Sequence, residues 1–289
     1  MHSRATLLIA ILTVPLAVAY SHAQRSDELT VMTFNLRFAS PGPPPDGWSH
    51  RFPIVREVIE KVSPDILGTQ EGLYQQLKDL QTGLPMYEWI GLGRDGGSRG
   101  EFMAIFFRRD RFEPLEFDHF WLSDTPNVIA SSTWGNACRR MVTWVRFLDR
   151  RTGRPFYVMN THLDHQVQKA REKSAELILN ATRKLRSDLP ILLTGDFNAA
   201  AGANKVYTIL VNKDAFADTW ITSERRGEAF GTFGGYKPPQ KDGPRIDWIL
   251  TRGSVVTLWT EVVTFSKDGQ YPSDHFPVVA RVAFRPKEG

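Results

Sequence analysis

Several things are scarce in this sequence, and each scarcity excludes a class of protein. Its 289 residues hold one cysteine, Cys138. An intrachain disulfide and a multi-cysteine zinc site are therefore excluded, and the lone thiol is expected as a small buried hydrophobe. Net charge is small: 36 Lys+Arg against 32 Asp+Glu leave a formal +4. That balance gives little support to a nucleic-acid binder relying on a basic face. There is no internal repeat and no charged tail, and beyond the N-terminus no stretch is apolar enough to span a bilayer. With 42% hydrophobic and 11% aromatic residues, the composition is that of a globular chain, neither disordered nor fibrous.

The N-terminus reads apart from the rest. Arg4 supplies a positive charge, Leu7 to Tyr20 is largely apolar with Pro15 interrupting it, and Ser21-His22-Ala23 sets small residues where a signal peptidase reads. A secretory signal peptide over residues 1–23 is expected, cleaved after Ala23, with an uncleaved anchor as the alternative. Residues 24–289 would then form one exported domain, periplasmic or secreted, monomeric and without an integral membrane segment.

Within that domain, β-type segments recur at Asp65–Gln70, Phe102–Arg108, Phe112–Leu122, Met141–Leu148, Phe156–Asn160, Ile191–Thr194, Ile246–Thr251, Val255–Thr264 and Val278–Phe284. Ahead of them Met32, Phe34, Leu36 and Phe38 alternate with Thr33, Asn35 and Arg37, and a proline-rich loop, Pro41 to Gly47, follows. Helical spacing is seen over Phe52–Val62 and from Gln166 to Arg186. A long loop, Gly231–Pro244, precedes a strand. Many strands, few helices and no linker predict one α/β domain built on sheets.

Chemistry gathers at strand ends. Asn35, Glu71, His162, His165, Asp196 and Asn198 follow apolar strands; Asp247 lies at the start of one, and Asp274-His275 stands just before the last. Such repetition is what a site assembled at one rim of a sheet requires. Glu71, Asp196, Asp247, Asp274, Asn35 and Asn198 all offer oxygen, the donor that Mg²⁺, or Mn²⁺ in its place, prefers together with water and substrate phosphate. A divalent ion beside histidines suits hydrolysis of a phosphate ester, one histidine activating water. Arg139-Arg140 begins a strand, so Arg140 is a candidate substrate contact; His165 reads as a surface loop residue or a substrate contact.

Six segments in order, Thr33-Phe34-Asn35-Leu36-Arg37, Gln70-Glu71, Asn160-Thr161-His162-Leu163-Asp164, Gly195-Asp196-Phe197-Asn198, Arg245-Ile246-Asp247 and Ser273-Asp274-His275-Phe276-Pro277, resemble the endonuclease/exonuclease/phosphatase superfamily. Deoxyribonuclease I, abasic-site endonucleases, neutral sphingomyelinases and inositol polyphosphate 5-phosphatases belong to it. Pro64-Asp65-Ile66-Leu67-Gly68 and Arg171-Glu172-Lys173-Ser174 look like its bacterial exported branch. The resemblance implies an α/β four-layer sandwich, two mixed sheets face to face with helices outside. It implies Glu71 as principal metal ligand, helped by Asn35 and Asp274, with Asp196 and Asn198 orienting water and phosphate. It implies an Asp247-His275 orienter-base dyad and His162 as phosphate contact or acid, with Glu101 as its partner. Asn35 also counts as a substrate contact. A small or lipid phosphate ester is favoured as substrate. An exported nuclease on DNA or RNA is the alternative, and a non-catalytic binding domain on the same fold is the reading of another class. A zinc hydrolase suggested by His162-x-Asp164-His165 fails, because Asn160 stands where that motif needs its first histidine.

Overall fold

The computed structural model describes residues 27–285, so the expected leader, residues 1–23, lies outside the described residues. The strands in chain order are β1 (Glu28–Asn35), β2 (Ile66–Gln70), β3 (Tyr87–Ile90), β4 (Ile105–Arg108), β5 (Phe112–Trp121), β6 (Met141–Asp149) and β7 (Arg154–His162). They continue as β8 (Ile191–Asp196), β9 (Ala217–Asp218), β10 (Arg225–Arg226), β11 (Asp247–Arg252), β12 (Val255–Val262) and β13 (Val278–Phe284). Sheet one has seven strands in the order β10-β12-β13-β1-β2-β4-β3; sheet two has six, β5-β6-β7-β8-β11-β9.

Side-chain alternation decides what each sheet face buries. Val31, Ile66, Phe107, Phe147, Val158 and Leu192 meet in the core between the sheets. Their strand neighbours Met32 and Leu67 turn outward against helices α1 (Trp48–Val62) and α2 (Tyr74–Gly83). Met159 and Leu193 turn outward against α3 (Gln168–Thr182) and α4 (Lys205–Leu210). A single-turn helix, α5 (Thr219–Thr222), sits beside β12. Both faces of the central strands are thus covered, which is why they read as nearly continuous apolar runs. The inter-sheet core is rich in phenylalanine: Phe107, Phe112, Phe147 and Phe156 lie with ring centroids 4.9 to 6.0 Å apart. Each such burial is worth about 1.5–3 kcal/mol. The expected four-layer sandwich is the fold observed.

Local differences have local causes. The first helix begins at Trp48, a turn before Phe52, and carries Pro53 inside it; the helical pattern placed the start at Phe52, where a proline fits the first turn. The first strand ends at Asn35 rather than running on to Phe38, because Arg37 turns into the left-handed region at φ 56°. Helix α2 and strand β3 carry too few periodic apolar residues to be read from the sequence.

Topology then sets the site. Strands β1 and β2 run parallel, as do β7 and β8, while β13 is antiparallel to β1 and β11 is antiparallel to β8. The C-terminal ends of β1, β2, β7 and β8 therefore share one rim with the N-terminal ends of β11 and β13. Just beneath it a buried polar seam ties the sheets. Gln70 Nε2 donates to Asn160 Oδ1 at 2.7 Å, Thr194 Oγ1 donates to the same oxygen at 3.1 Å, and Asn160 Nδ2 donates to the Thr69 and Ala104 carbonyls. Gly68 permits this approach: a Cβ there would meet Thr194 Oγ1 at 2.2 Å.

Candidate active site

Strand register brings the first group together. In sheet two His162 pairs with Asp196 and Asp196 with Asp247, three adjacent ladder positions at the rim. Across from them the loop before β13 delivers His275, whose Nδ1 lies 3.0 Å from Asp247 Oδ2. Its Nε2 lies 3.7 Å from Asp196 Oδ2. All four are buried. Burial pulls the His275 imidazole down, but Asp247 and Asp196 outweigh it and push it up to about 10. Burial and the Asp247 charge push Asp196 up to about 7, with His275 and hydrogen bonds from Asn198 and Asn35 opposing. The metal-free cluster therefore keeps His275 cationic at neutral pH, and a base role requires one of the flanking negative charges to be offset.

His162 is held the other way. Burial, then the Arg140 charge, drive it well below its ordinary range, so the ring is neutral. Its Nε2 lies 3.0 Å from Asn198 Nδ2 and 3.3 Å from Asp196 Oδ2, while the Asn198 amide donates to the Leu163 carbonyl. Nδ1 is a buried atom without a hydrogen-bond partner among the described residues. Asn198 reaches this position at φ 48°, a left-handed conformation that few non-glycine residues adopt away from functional sites.

Sheet one supplies carboxylates from loops. Glu71, at φ 62°, lies just past β2, and its Oε2 accepts from the Phe38 amide at 3.2 Å. Arg37 stands between Glu71 and Asp274, 3.9 Å from each. Burial raises the Asp274 carboxyl, and the Glu71 charge adds to this against His275. Asn35, expected to help hold the metal, sits between the carboxylates. Its Oδ1 accepts the Arg37 backbone N–H at 3.0 Å, and its NH₂ faces Glu71 Oε1 and Asp196 Oδ2, each at 3.0 Å.

The sequence reading missed what holds these loops. Arg51 on α1 has no exposed surface, and its guanidinium donates to the carbonyls of Leu36, Arg37, Phe38, Asp46 and Pro272. It fastens the segment after β1 to the segment before β13. Ser273 adds a bond from Oγ to the Asn35 carbonyl at 2.7 Å. The proline loop and the Gly231–Pro244 loop meet at Asp46, which accepts from Arg37 Nε at 3.2 Å and from the Tyr236 hydroxyl at 2.9 Å.

Glu71, His162, Asp196, Asn198, Asp274 and His275 line a cleft of about 450 Å³ whose walls also carry Arg94, Glu101, Cys138, Arg140, His165 and Phe233. Phe233 is 56% exposed and meets His275 edge-on at 5.0 Å. Glu101 is in the cleft but does not partner His162 as expected. Arg94 Nη1 donates to its Oε2 at 2.6 Å, the charge-assisted bond that an imidazole held neutral cannot match. Cys138, expected as a buried hydrophobe, is half-buried on the cleft wall. His165 is exposed, and its Nδ1 lies 3.2 Å from Arg140 Nη2. Asp164 is structural: it accepts the backbone N–H groups of Gln166 and Val167 ahead of α3, at 2.9 and 2.7 Å. A larger hollow of about 600 Å³ lies at the opposite rim beside Arg154, Arg186 and Arg285; none of its lining residues is a candidate site residue.

The donor set fits a hard divalent cation. Glu71 and Asp274 offer oxygens that feel one another's charge, with Arg37 too distant for hydrogen bonds to either. The ligand atoms of Asp196, Asp247 and His275 also lie within 4.8 Å of one another. There the imidazolium supplies the positive charge itself, so Glu71 and Asp274 are the better cation site.

The sequence pattern of the endonuclease/exonuclease/phosphatase family matches residues 32–275. Among solved structures, a mannosyl-6-phosphatase of Bacteroides thetaiotaomicron is 36% identical with a TM-score of 0.83, covering 89% of this chain and all of its own. A second protein of this family from the same organism is also 36% identical, with a TM-score of 0.85, over 90% of this chain and 98% of its own. Nocturnin of Drosophila melanogaster is 23% identical over 88% of this chain but 46% of its own length. The chain spans about half the length of the curated relatives it matches. It belongs to the endonuclease/exonuclease/phosphatase family.

Proposed function

We propose that this member of the endonuclease/exonuclease/phosphatase family is a divalent-metal-dependent hydrolase of a small phosphate ester. The observation carrying this reading is the convergence at one rim of a carboxylate pair open to a cation, a buried Asp247-His275 pair, and neutral His162 beside Asn198. A relative 36% identical over 89% of the chain is a mannosyl-6-phosphatase, which supports a sugar phosphate over a nucleic acid.

Glu71 and Asp274 would hold Mg²⁺ or Mn²⁺, which when bound neutralises charge on the phosphoryl and leaving oxygens. The chain's own residues do the rest. Asp247 fixes the His275 ring through Nδ1–H and leaves Nε2 to the Asp196 side. Once negative charge flanking it is offset, the His275 ring is neutral and, with Asp196, accepts the proton of the attacking water. Asn35 steadies Glu71 and Asp196 at once. His162 and Asn198 meet the phosphate oxygens. Water oxygen bonds to phosphorus, the ester P–O bond breaks, the departing oxygen takes a proton from solvent to leave as an alcohol, and the proton accepted from water returns to solvent.

Export to the periplasm or medium, with cleavage after Ala23, is part of the same proposal, as is membership of a bacterial exported branch; among the described residues no helix is long and apolar enough to cross a membrane. Turnover of p-nitrophenyl phosphate, bis-p-nitrophenyl phosphate, sugar phosphates and plasmid DNA with Mg²⁺, Mn²⁺ and Ca²⁺ tests the function. Full turnover in excess chelator, or none on any ester, would sink it. The mature N-terminus of the exported protein, read by mass spectrometry, tests the leader.

A further inference from the structure

Arg140 stands where β6 begins, 3% exposed, on the wall of the cleft. A buried cation is stabilised only by counter-charge or acceptors. This one has few. Nη2 reaches His165 Nδ1 at 3.2 Å, and Nη1 is 4.0 Å from Glu101 Oε2, a carboxylate already taken by Arg94 at 2.6 Å. Arg140 Nε and Nη1 have no hydrogen-bond partner among the described residues, and neither has the neighbouring His162 Nδ1. Two buried guanidinium donors without acceptors, beside an imidazole nitrogen that also lacks a partner, describe a site for an anion rich in oxygen.

The surroundings limit which anion. Around Arg140 the wall is closed: Met141, Leu163 and Asp164 have no exposed surface. A monoester turns three free oxygens toward such donors, a diester only two. A diester carries one negative charge and two arms; a monoester carries close to two charges at neutral pH and one arm.

We infer that this cleft selects phosphomonoesters over diesters, Arg140 and His162 binding the terminal phosphate dianion. The inference rests on the hydrolytic reading above and names its substrate class. His165 acts as a positioning residue, accepting from Nη2 so that Nε and Nη1 stay free for the phosphate.

Two measurements test it. In the metal-free chain with chelator, inorganic phosphate should raise the melting temperature, since only the folded state binds it. Dimethyl phosphate, a monoanion with two arms, should not. Arg140→Met should abolish the phosphate-dependent rise, and without phosphate it should melt no lower than wild type, because an unpaired buried cation is gone. In turnover, wild type should favour p-nitrophenyl phosphate over bis-p-nitrophenyl phosphate in kcat/KM, and Arg140→Met should cut that preference about 10- to 100-fold. Equal losses on both esters, a wild-type preference for the diester, or a phosphate rise that survives Arg140→Met would overturn the inference. Absence of turnover on every ester with every cation defeats the hydrolytic reading instead, and the phosphate-binding arm then decides this one alone.

Discussion

Sheet two places His162, Asp196 and Asp247 inside hydrogen-bonded ladders, at register positions opposite one another and 3% exposed or less. Sheet one places Glu71 and Asp274 past its strand ends, on loops, with side chains 15% exposed. The loop backbone is bent there into left-handed turns at Arg37 and Glu71, and Arg51 holds it from behind. On the proposed function, the difference matches the chemistry asked of each wall. Proton transfer needs distances held within fractions of an ångström, which a ladder supplies. A cation must enter and leave, and a loop with a firm anchor allows that. His275 crosses between the two, leaving sheet one to pair with sheet two's Asp247, so it is where the comparison is most easily broken.

His275→Ala should therefore have the largest effect, lowering kcat on order of 10²- to 10⁴-fold with the fold intact. A variant within threefold of wild type would move the proton chemistry elsewhere. Arg51→Met comes next. It strands five carbonyl acceptors of the carboxylate-bearing loops, and a loss of about 3–4 kcal/mol is expected. That is a melting point lower by about 6–15 °C, with a rise in the cation concentration giving half-maximal activity. An unchanged cation requirement would show that the loops hold their carboxylates without it. Glu71→Gln isolates the cation wall: half-maximal Mg²⁺ should rise on the order of 100-fold without change in melting temperature. If activity at low Mg²⁺ is unaffected, the cation binds elsewhere.

The sheet-two wall was the more legible in sequence, and for the same reason. Where a residue's neighbours are fixed by strand pairing, an apolar run ending in Gly195-Asp196-Phe197-Asn198 or Asn160-Thr161-His162 already says which rim it reaches. Loop geometry has no such shorthand. Nothing in Trp48-Ser49-His50-Arg51 shows that the arginine collects carbonyls on both sides of the cleft, because its partner Pro272 lies 221 positions away. The orientation of the Asn35 amide depends on the turn at Arg37, which its sequence neighbours do not display. Glu101 was expected beside His162, but Arg94 holds it through the fold of the loop joining β3 to β4.

The smallest expected effect is on stability, and it has a definite sign. In metal-free protein Asp196 sits with its pKa pushed up from 3.8 to about 7. A carboxyl raised on folding means the native state binds more protons than the unfolded state between those values, so stability falls as pH rises from about 4 to about 7. The raised imidazole of His275 acts in a higher window: its contribution is complete below about 6.5 and is lost as pH climbs through about 10. Asp196→Asn removes the buried negative charge while keeping the shape; of the two bonds that Asp196 accepts, from the Asn198 backbone N–H and from Asn35 Nδ2, the amide oxygen keeps one. At pH 4.5 the variant and wild type should denature at nearly the same urea concentration. At pH 8, with chelator, the variant should be more stable by about 1–2 kcal/mol, although its hydrolytic activity is lost. Saturating Mg²⁺ should narrow the gap, because a cation at Glu71 and Asp274 adds positive charge near Asp196. A variant less stable than wild type at pH 8 would mean that Asp196 is held by net attraction, and that sheet two's wall is a structural ladder rather than one strained for proton transfer.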